Sequence, residues 1–211
     1  MVTVFCRVVL CLLIIFSCQV QASISSFPVD AKKLLQKAPE LKPEAFMMAL
    51  QAYQKAYEQG YVTKPYLALI DYSKPASDKR LWIFDLNQQT VLYKLHVAHG
   101  KNSGRKVATR FSNKVNSLQT SLGAFITEES YQGRNGYSLR LEGLDPGLND
   151  NAKIRGIVMH GAYYASPAFL KQHGFVGSSW GCPAIDKAVN TQVINLLKEG
   201  SLVFAYHSTI S

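Results

Sequence analysis

The spacing of hydrophobic positions changes near residue 60, and that change divides the chain. Phe46, Ala49, Leu50, Tyr53 and Tyr57 recur at three- and four-residue intervals, which places them on one face of a helix. Pro43 suits a first-turn position and Gly60 a C-terminal stop, so the spacing predicts helix over 30–59, packed by its apolar face on the domain C-terminal to it. Beyond Gly60 the period shortens. Residues 66–72, 80–86 and 90–99 are aromatic and branched runs bounded by turn formers, with Asn87-Gln88-Gln89 as a hairpin connection. Residues 100–119 carry no period and read as a loop. Further strands are predicted over 123–127, 138–142, 154–160 and 202–206. Two late helices complete the pattern, one over 166–171 with Ser166 as N-cap and Pro167 in the first turn. The other runs from Asp186 through Val189, Val193, Leu196 and Leu197 to Gly200. The fold class is α+β, a mainly β domain over 63–211 preceded by a helical segment over 23–62.

The N-terminus has a different pattern. Arg7 precedes an unbroken apolar stretch over 8–16, and Val20-Gln21-Ala22 offers small-residue cleavage, so residues 1–22 read as a secretory signal peptide. The stretch is shorter than the roughly 18 residues a membrane span needs. The expected address is therefore outside the cytoplasm, in the periplasm or cell envelope. Ile15-Phe16-Ser17-Cys18 also looks like a bacterial lipobox, with bulky Phe16 as its departure. Lipidation at Cys18 is the second way this segment could meet a membrane.

Composition changes the picture in one respect. The 211 residues carry 23 Lys+Arg against 14 Asp+Glu. Loss of the leader removes Arg7 and no acid, leaving a net charge of +8. Such a surplus suits an anionic partner. Nucleic acid is disfavoured by the absence of a reader motif and by export. Scattered histidines and one mature cysteine give no metal cluster, and no glycine loop cradles a phosphate, so no cofactor is expected.

Cysteine usage narrows the chemistry. Cys6, Cys11 and Cys18 fall in the leader, which leaves Cys182 without a partner for an internal disulfide. A lone cysteine is commonly a buried core residue. This one follows Gly181 in Ser179-Trp180-Gly181-Cys182-Pro183, 22 positions after His160, which closes an apolar strand and is followed by Gly161. A thiol nucleophile needs a base or cation to yield thiolate, and imidazole is the natural partner. Gly181 permits a tight turn that frees backbone N–H groups for an oxyanion. His96, His99, His173 and His207 are the competing bases.

His160-Gly161 followed by Ser179-x-Gly181-Cys182 resembles the signature of the L,D-transpeptidase (YkuD) catalytic domain family, in its murein branch. Thr120-Ser121-Leu122-Gly123-Ala124-Phe125 is similar to that family's Thr-Pro-x-Gly-x-Phe strand, with Ser121 where proline is commoner. The similarity spans about 67–206 and leaves the N-terminal helices outside. The resemblance implies a compact β-rich fold. It also implies a cysteine that attacks the bond between a diamino acid and a terminal D-alanine in peptidoglycan stem peptides. The acyl group then passes to an amine of a second stem, or to water. In these terms Cys182 is the nucleophile, His160 the base, Ser179 an orienting group and Gly181 the oxyanion turn. Trp180, Gly161, Arg140 and Arg155 are the substrate-side candidates.

The family pattern has arginine two places after the nucleophile. Here that residue is Ala184, and no arginine follows Arg155, so another cation must serve or the substrate differs. The basic loop of Lys101, Arg105, Lys106, Arg110 and Lys114 is either a solvated face or a substrate guide. Sortases require an arginine after the thiol, and papain-like amidases place Cys before His, so neither fits. A non-catalytic wall-binding protein on a decayed scaffold is the remaining alternative. It differs from an enzyme in the thiol, which should have a depressed pKa only in a working site.

Overall fold

The computed structural model describes residues 29–210, so the leader and the Cys18 lipobox lie outside the described residues. Two helices stand where one was expected: α1, Ala31–Lys37, and α2, Pro43–Glu58. Pro43 opens α2 at a position where its missing N–H is harmless, and it disfavours helical backbone at Lys42. Asp30 caps α1 by accepting from Lys33 N at 2.9 Å. Along α2 the buried residues are Ala45, Phe46, Ala49, Tyr53 and Ala56. Tyr57, expected on that face, is half exposed because Ala56 occupies the inward position instead.

The strands are β1 Tyr66–Asp71, β2 Leu81–Asp85, β3 Thr90–Leu95, β4 His99–Gly100, β5 Gly123–Gly133, β6 Gly136–Gly143, β7 Val158–Ala162, β8 Ser178–Ser179, β9 Ala184–Asp186 and β10 Leu202–Tyr206. Helices α3, Pro167–His173, and α4, Lys187–Leu197, separate the late strands. Ser166 caps α3 through Phe169 N, and Asp186 caps α4 through Ala188 N, as their sequence positions imply.

Eight strands form one sheet in the order β3-β2-β1-β10-β5-β6-β7-β9, while β4 pairs with β8 separately. The β1–β10 and β7–β9 pairs are parallel. Side chains alternate across the sheet. Leu67, Leu69, Trp82, Phe84 and Phe204 face α1 and α2, packing with Phe46, Ala49 and Tyr53. Ala68, Ile70, Leu81, Ile83 and Val203 face the opposite layer, which includes Val193, Ile194 and Leu197 of α4. Burial on both faces explains why these strands read as continuous apolar runs rather than alternating ones.

Strand limits differ from the pattern in instructive places. The strand expected over 90–99 ends at Leu95, and His99–Gly100 leaves to pair with β8. The one expected over 154–160 starts at Val158, because turns precede it and Ile154 is exposed. β5 and β6 run past their expected ends to meet in a two-residue turn. β8 and β9 are too short to leave a sequence period, yet they hold the nucleophile candidate between them.

Candidate active site

The parallel pairing of β7 with β9 assembles the site. It sets His160 opposite Ala184, two residues beyond Cys182. Cys182 therefore enters beside the strand that carries His160. Val158 N–H donates to Cys182 Sγ at 3.5 Å, and the thiol donates to the Gly156 carbonyl at 3.6 Å. Cys182 and His160 both line a cavity of about 320 Å³, with Arg134, Arg155, Tyr164 and Trp180 among its walls. Each is largely covered, at 8% and 5% exposure, so only a ligand seated in the cavity reaches them.

His160 Nδ1 lies 3.2 Å from the Gly161 carbonyl. A carbonyl only accepts, so Nδ1 carries the proton in the neutral ring and Nε2 keeps its lone pair. Burial holds the imidazole pKa below its usual value, partly offset by that hydrogen bond, and favours the neutral base. Burial pushes the Cys182 thiol up, opposed by the Val158 N–H and the charge of Arg155. Among the described residues no hydrogen bond joins the ring to the thiol. Burial thus moves the Cys182 thiol opposite to the depressed pKa expected of a working site, a direction that a decayed scaffold would share. The arrangement is a neutral thiol with a neutral imidazole, suited to proton transfer during attack rather than to a standing ion pair.

Glycine is needed at two points. Gly181 has φ +124°, and a Cβ there would meet the Gln119 carbonyl oxygen at 2.8 Å. At Gly161 a Cβ would press on Asn190 of α4 at 3.0 Å, so its absence lets the helix close on β7. Asn190 in turn donates to the Tyr137 carbonyl at 2.7 Å. Ser179 Oγ donates to the Cys182 carbonyl at 2.6 Å and accepts from Gly181 N–H at 3.1 Å, which fixes the turn around the sulfur. That contact engages the Gly181 N–H, one of the backbone N–H groups of the turn that sequence offers to an oxyanion.

Arg155 sits behind this turn. Its Nη1 donates to the Ser112 carbonyl at 2.5 Å and to Ser121 Oγ, and its Nη2 donates to the Gln119 carbonyl at 2.6 Å and Ser117 Oγ at 3.0 Å. A Cβ on Gly181 would lie 3.4 Å from Nη2. Arg155 therefore pins the 112–121 loop against the Cys182 turn and brings positive charge to the sulfur, with both terminal nitrogens already engaged. Ser121, the departure from the family's proline, is one of its acceptors. The structure does not bring Arg140 to the cleft. Its Nε pairs with Glu129 at 2.7 Å, and its guanidinium covers Tyr131 at 4.3 Å. Trp180, 64% exposed, stands at the rim between Arg134 and Lys101. The other loop cations do not line the cavity; Arg105 and Lys106 flank the Phe175 ring.

Sequence reasoning missed Arg134, Asn135 and Tyr164 as cleft residues. Gly133-Arg134-Asn135-Gly136 between strand-like runs carried a signal for the first two, since Asn-Gly there marks a hairpin turn. It also missed the support under β4. Arg80 is fully buried and donates to the Val97 and Lys74 carbonyls, with Nη2 2.7 Å from His99 Nδ1. Arginine has no acceptor, so His99 accepts at Nδ1 and donates from Nε2 to the Gly104 carbonyl at 3.0 Å. Burial, then the Arg80 charge, holds the His99 pKa down to about 4. His99 is a brace for the strand beside Ser178–Ser179, and it does not line the cleft.

Among the described residues no group of three potential metal ligands converges, and no helix is long and apolar enough to cross a membrane. The L,D-transpeptidase catalytic domain family matches residues 37–206, so the match takes in α2, upstream of the residue 67 expected from the motifs. No curated protein matches the chain. Among solved structures, the chain is similar to an L,D-transpeptidase from Mycobacterium smegmatis (15% identity, TM-score 0.42, covering 67% of this chain and 58% of that one). It is also similar to an L,D-transpeptidase from Stackebrandtia nassauensis (12% identity, TM-score 0.40, covering 83% and 75%). A third is the helical cell shape determining protein Pgp2 from Campylobacter jejuni (13% identity, TM-score 0.41, covering 72% and 55%). The chain thus spans less than two thirds of the Mycobacterium and Campylobacter chains.

Proposed function

The chain belongs to the L,D-transpeptidase catalytic domain family, and from that premise we propose that it is an exported, cysteine-dependent murein L,D-transpeptidase acting on peptidoglycan stem peptides. The observation that carries this reading is the shared cavity of Cys182 and His160, with an unprotonated Nε2 on the ring and Ser179 fixing the nucleophile turn.

Cys182 Sγ attacks the carbonyl carbon of the diamino acid while His160 Nε2 takes the thiol proton. The N–H of Cys182 receives the developing oxyanion. Collapse of the tetrahedral intermediate breaks the bond to D-alanine, whose amine leaves with the proton from His160. The resulting thioester is attacked by an amine of a second stem, giving a cross-link, or by water, giving a trimmed stem. Either attack breaks the S–C bond and returns the proton to sulfur. Arg155 lowers the energy of the thiolate from behind the turn. Export fits this reading because the substrate lies outside the cytoplasm.

Intact-protein mass after exposure to a carbapenem tests the nucleophile. The native chain gains one adduct, and Cys182→Ala gains none. An adduct that persists in Cys182→Ala would refute the assignment. The same experiment separates the enzyme from a decayed binding scaffold, which would bind wall fragments and acquire no adduct.

A further inference from the structure

Two cavities meet at His160. The first holds Cys182; the second, about 550 Å³, is walled by Tyr137, Tyr163, Lys187 and Asn190. Arg134, Asn135, His160 and Tyr164 belong to both. Among the described residues no aspartate or glutamate lines either one, and their fixed charges come from Arg134, Arg155 and Lys187. These cations are not equivalent. Arg155 has both terminal nitrogens engaged by protein acceptors. Lys187 reaches only the second cavity. Arg134 stands in the two-residue turn between β5 and β6, on the wall the cavities share. Among the described residues no carboxylate pairs with it and no acceptor takes its N–H groups.

One aromatic ring faces this exposed side chain. The Arg134 guanidinium carbon lies 5.8 Å from the Trp180 ring centroid, within cation–π range. Trp180 is 64% exposed next to the nucleophile turn, and Lys101 also faces its ring, with Nζ 5.9 Å from the centroid. A planar fork of donors with no partner, braced on an aromatic ring at the mouth of an acid-free cleft, matches a carboxylate and its two oxygens. We propose that Arg134, braced on Trp180, is a specificity-determining residue that receives a carboxylate of the ligand whose carbonyl is presented to Cys182. This rests on Cys182 being the nucleophile, and it assigns to the β5–β6 turn the two-pronged carboxylate contact for which Arg155 has no terminal nitrogen left.

Paired alkylating reagents test it without a purified substrate. Iodoacetate and iodoacetamide are nearly the same size and lose the same iodide to the thiol, but only iodoacetate carries a carboxylate. The readout is the ratio of their second-order rates at Cys182, followed by intact mass, with N-acetylcysteine as the free-thiol reference. The native chain should favour iodoacetate relative to the reference. Arg134→Gln should lower that ratio about fivefold or more, and Arg134→Lys, a charge without the fork, should fall between. The native preference should shrink as salt is raised. A ratio unchanged in Arg134→Gln, with Cys182 still alkylated, overturns the carboxylate role and leaves the nucleophile assignment standing. Failure of Cys182 to react with either reagent overturns the nucleophile assignment and this proposal with it.

Discussion

At the scale of single residues, the site works by enclosure. Its sulfur rests on the backbone of β7, and the neighbouring ring, the proposed base, is held towards its neutral form by burial. Burial raises the Cys182 pKa, so the thiolate fraction must keep growing as pH rises through and beyond the ordinary thiol range near 9. Alkylation by iodoacetamide should therefore climb across pH 7–9.5 without levelling near neutrality. Arg155→Met removes the charge that opposes burial and raises the thiol pKa further. At pH 8 its alkylation rate should be about three- to tenfold below the native rate, and a rate equal to native would show that Arg155 does not act on the sulfur. His160 behaves oppositely. Its pKa lies below 6.5, so the neutral base persists as pH falls and is lost only on passing below that range. The acid limb of kcat/KM should accordingly lie below the ordinary imidazole value, and a limb above 6.5 would exclude His160 as the base.

At the scale of elements, the pattern of the chain carried the long pieces and lost the short ones. Leu67–Ile70, Trp82–Phe84 and Leu202–Phe204 were visible because strands buried on both faces must be apolar throughout. The caps Ser166 and Asp186 were visible because each side-chain oxygen satisfies a helix N–H. Cys182 and His160 were legible as a pair from their glycine neighbours. What could not be read was the partnering that places them: β8 and β9 are two and three residues long and owe their form to pairing with β4 and β7. Arg155, a substrate-side candidate in the sequence, lines the cavity, but nothing local in sequence shows that Ser112, Ser117, Gln119 and Ser121 also converge on it. The Cys182 turn gives the sharpest element-scale prediction. Gly181→Ala forces a side chain into a glycine-favoured backbone and against the Gln119 carbonyl, so it should destabilise the fold by about 1–3 kcal/mol. It should also displace the sulfur, lowering carbapenem acylation well beyond what the stability loss explains.

At the scale of the whole molecule, one sheet shares its two faces between two duties. The face toward α1 and α2 is structural. Phe46 is fully buried there with its ring 4.9 Å from that of Phe84, and Phe46→Ala should cost about 3–5 kcal/mol in urea unfolding while leaving the site chemistry intact once folded. The opposite layer leads to β7, β9 and the cleft, and its underside is braced by Arg80 and His99. The His99 pKa of about 4 in the folded state lies below its unfolded value of 6.5. Below pH 6.5 the unfolded chain therefore binds a proton that the folded chain refuses. Stability present above pH 6.5 is lost as pH falls toward 4, by about 3 kcal/mol from this group. His99→Gln, which can still accept from Arg80, should flatten that decline; an equally steep decline in the variant would place its origin elsewhere.

The proposed chemistry depends most on an acyl group passing through Cys182. Brief incubation with purified disaccharide-tetrapeptide, followed by intact-protein and product mass spectrometry, measures it directly. The expected result is release of D-alanine together with a transient tripeptide acyl group on the native chain, and neither on Cys182→Ala. Release of D-alanine by the Cys182→Ala variant, or binding of the tetrapeptide by the native chain with no D-alanine released, would contradict it.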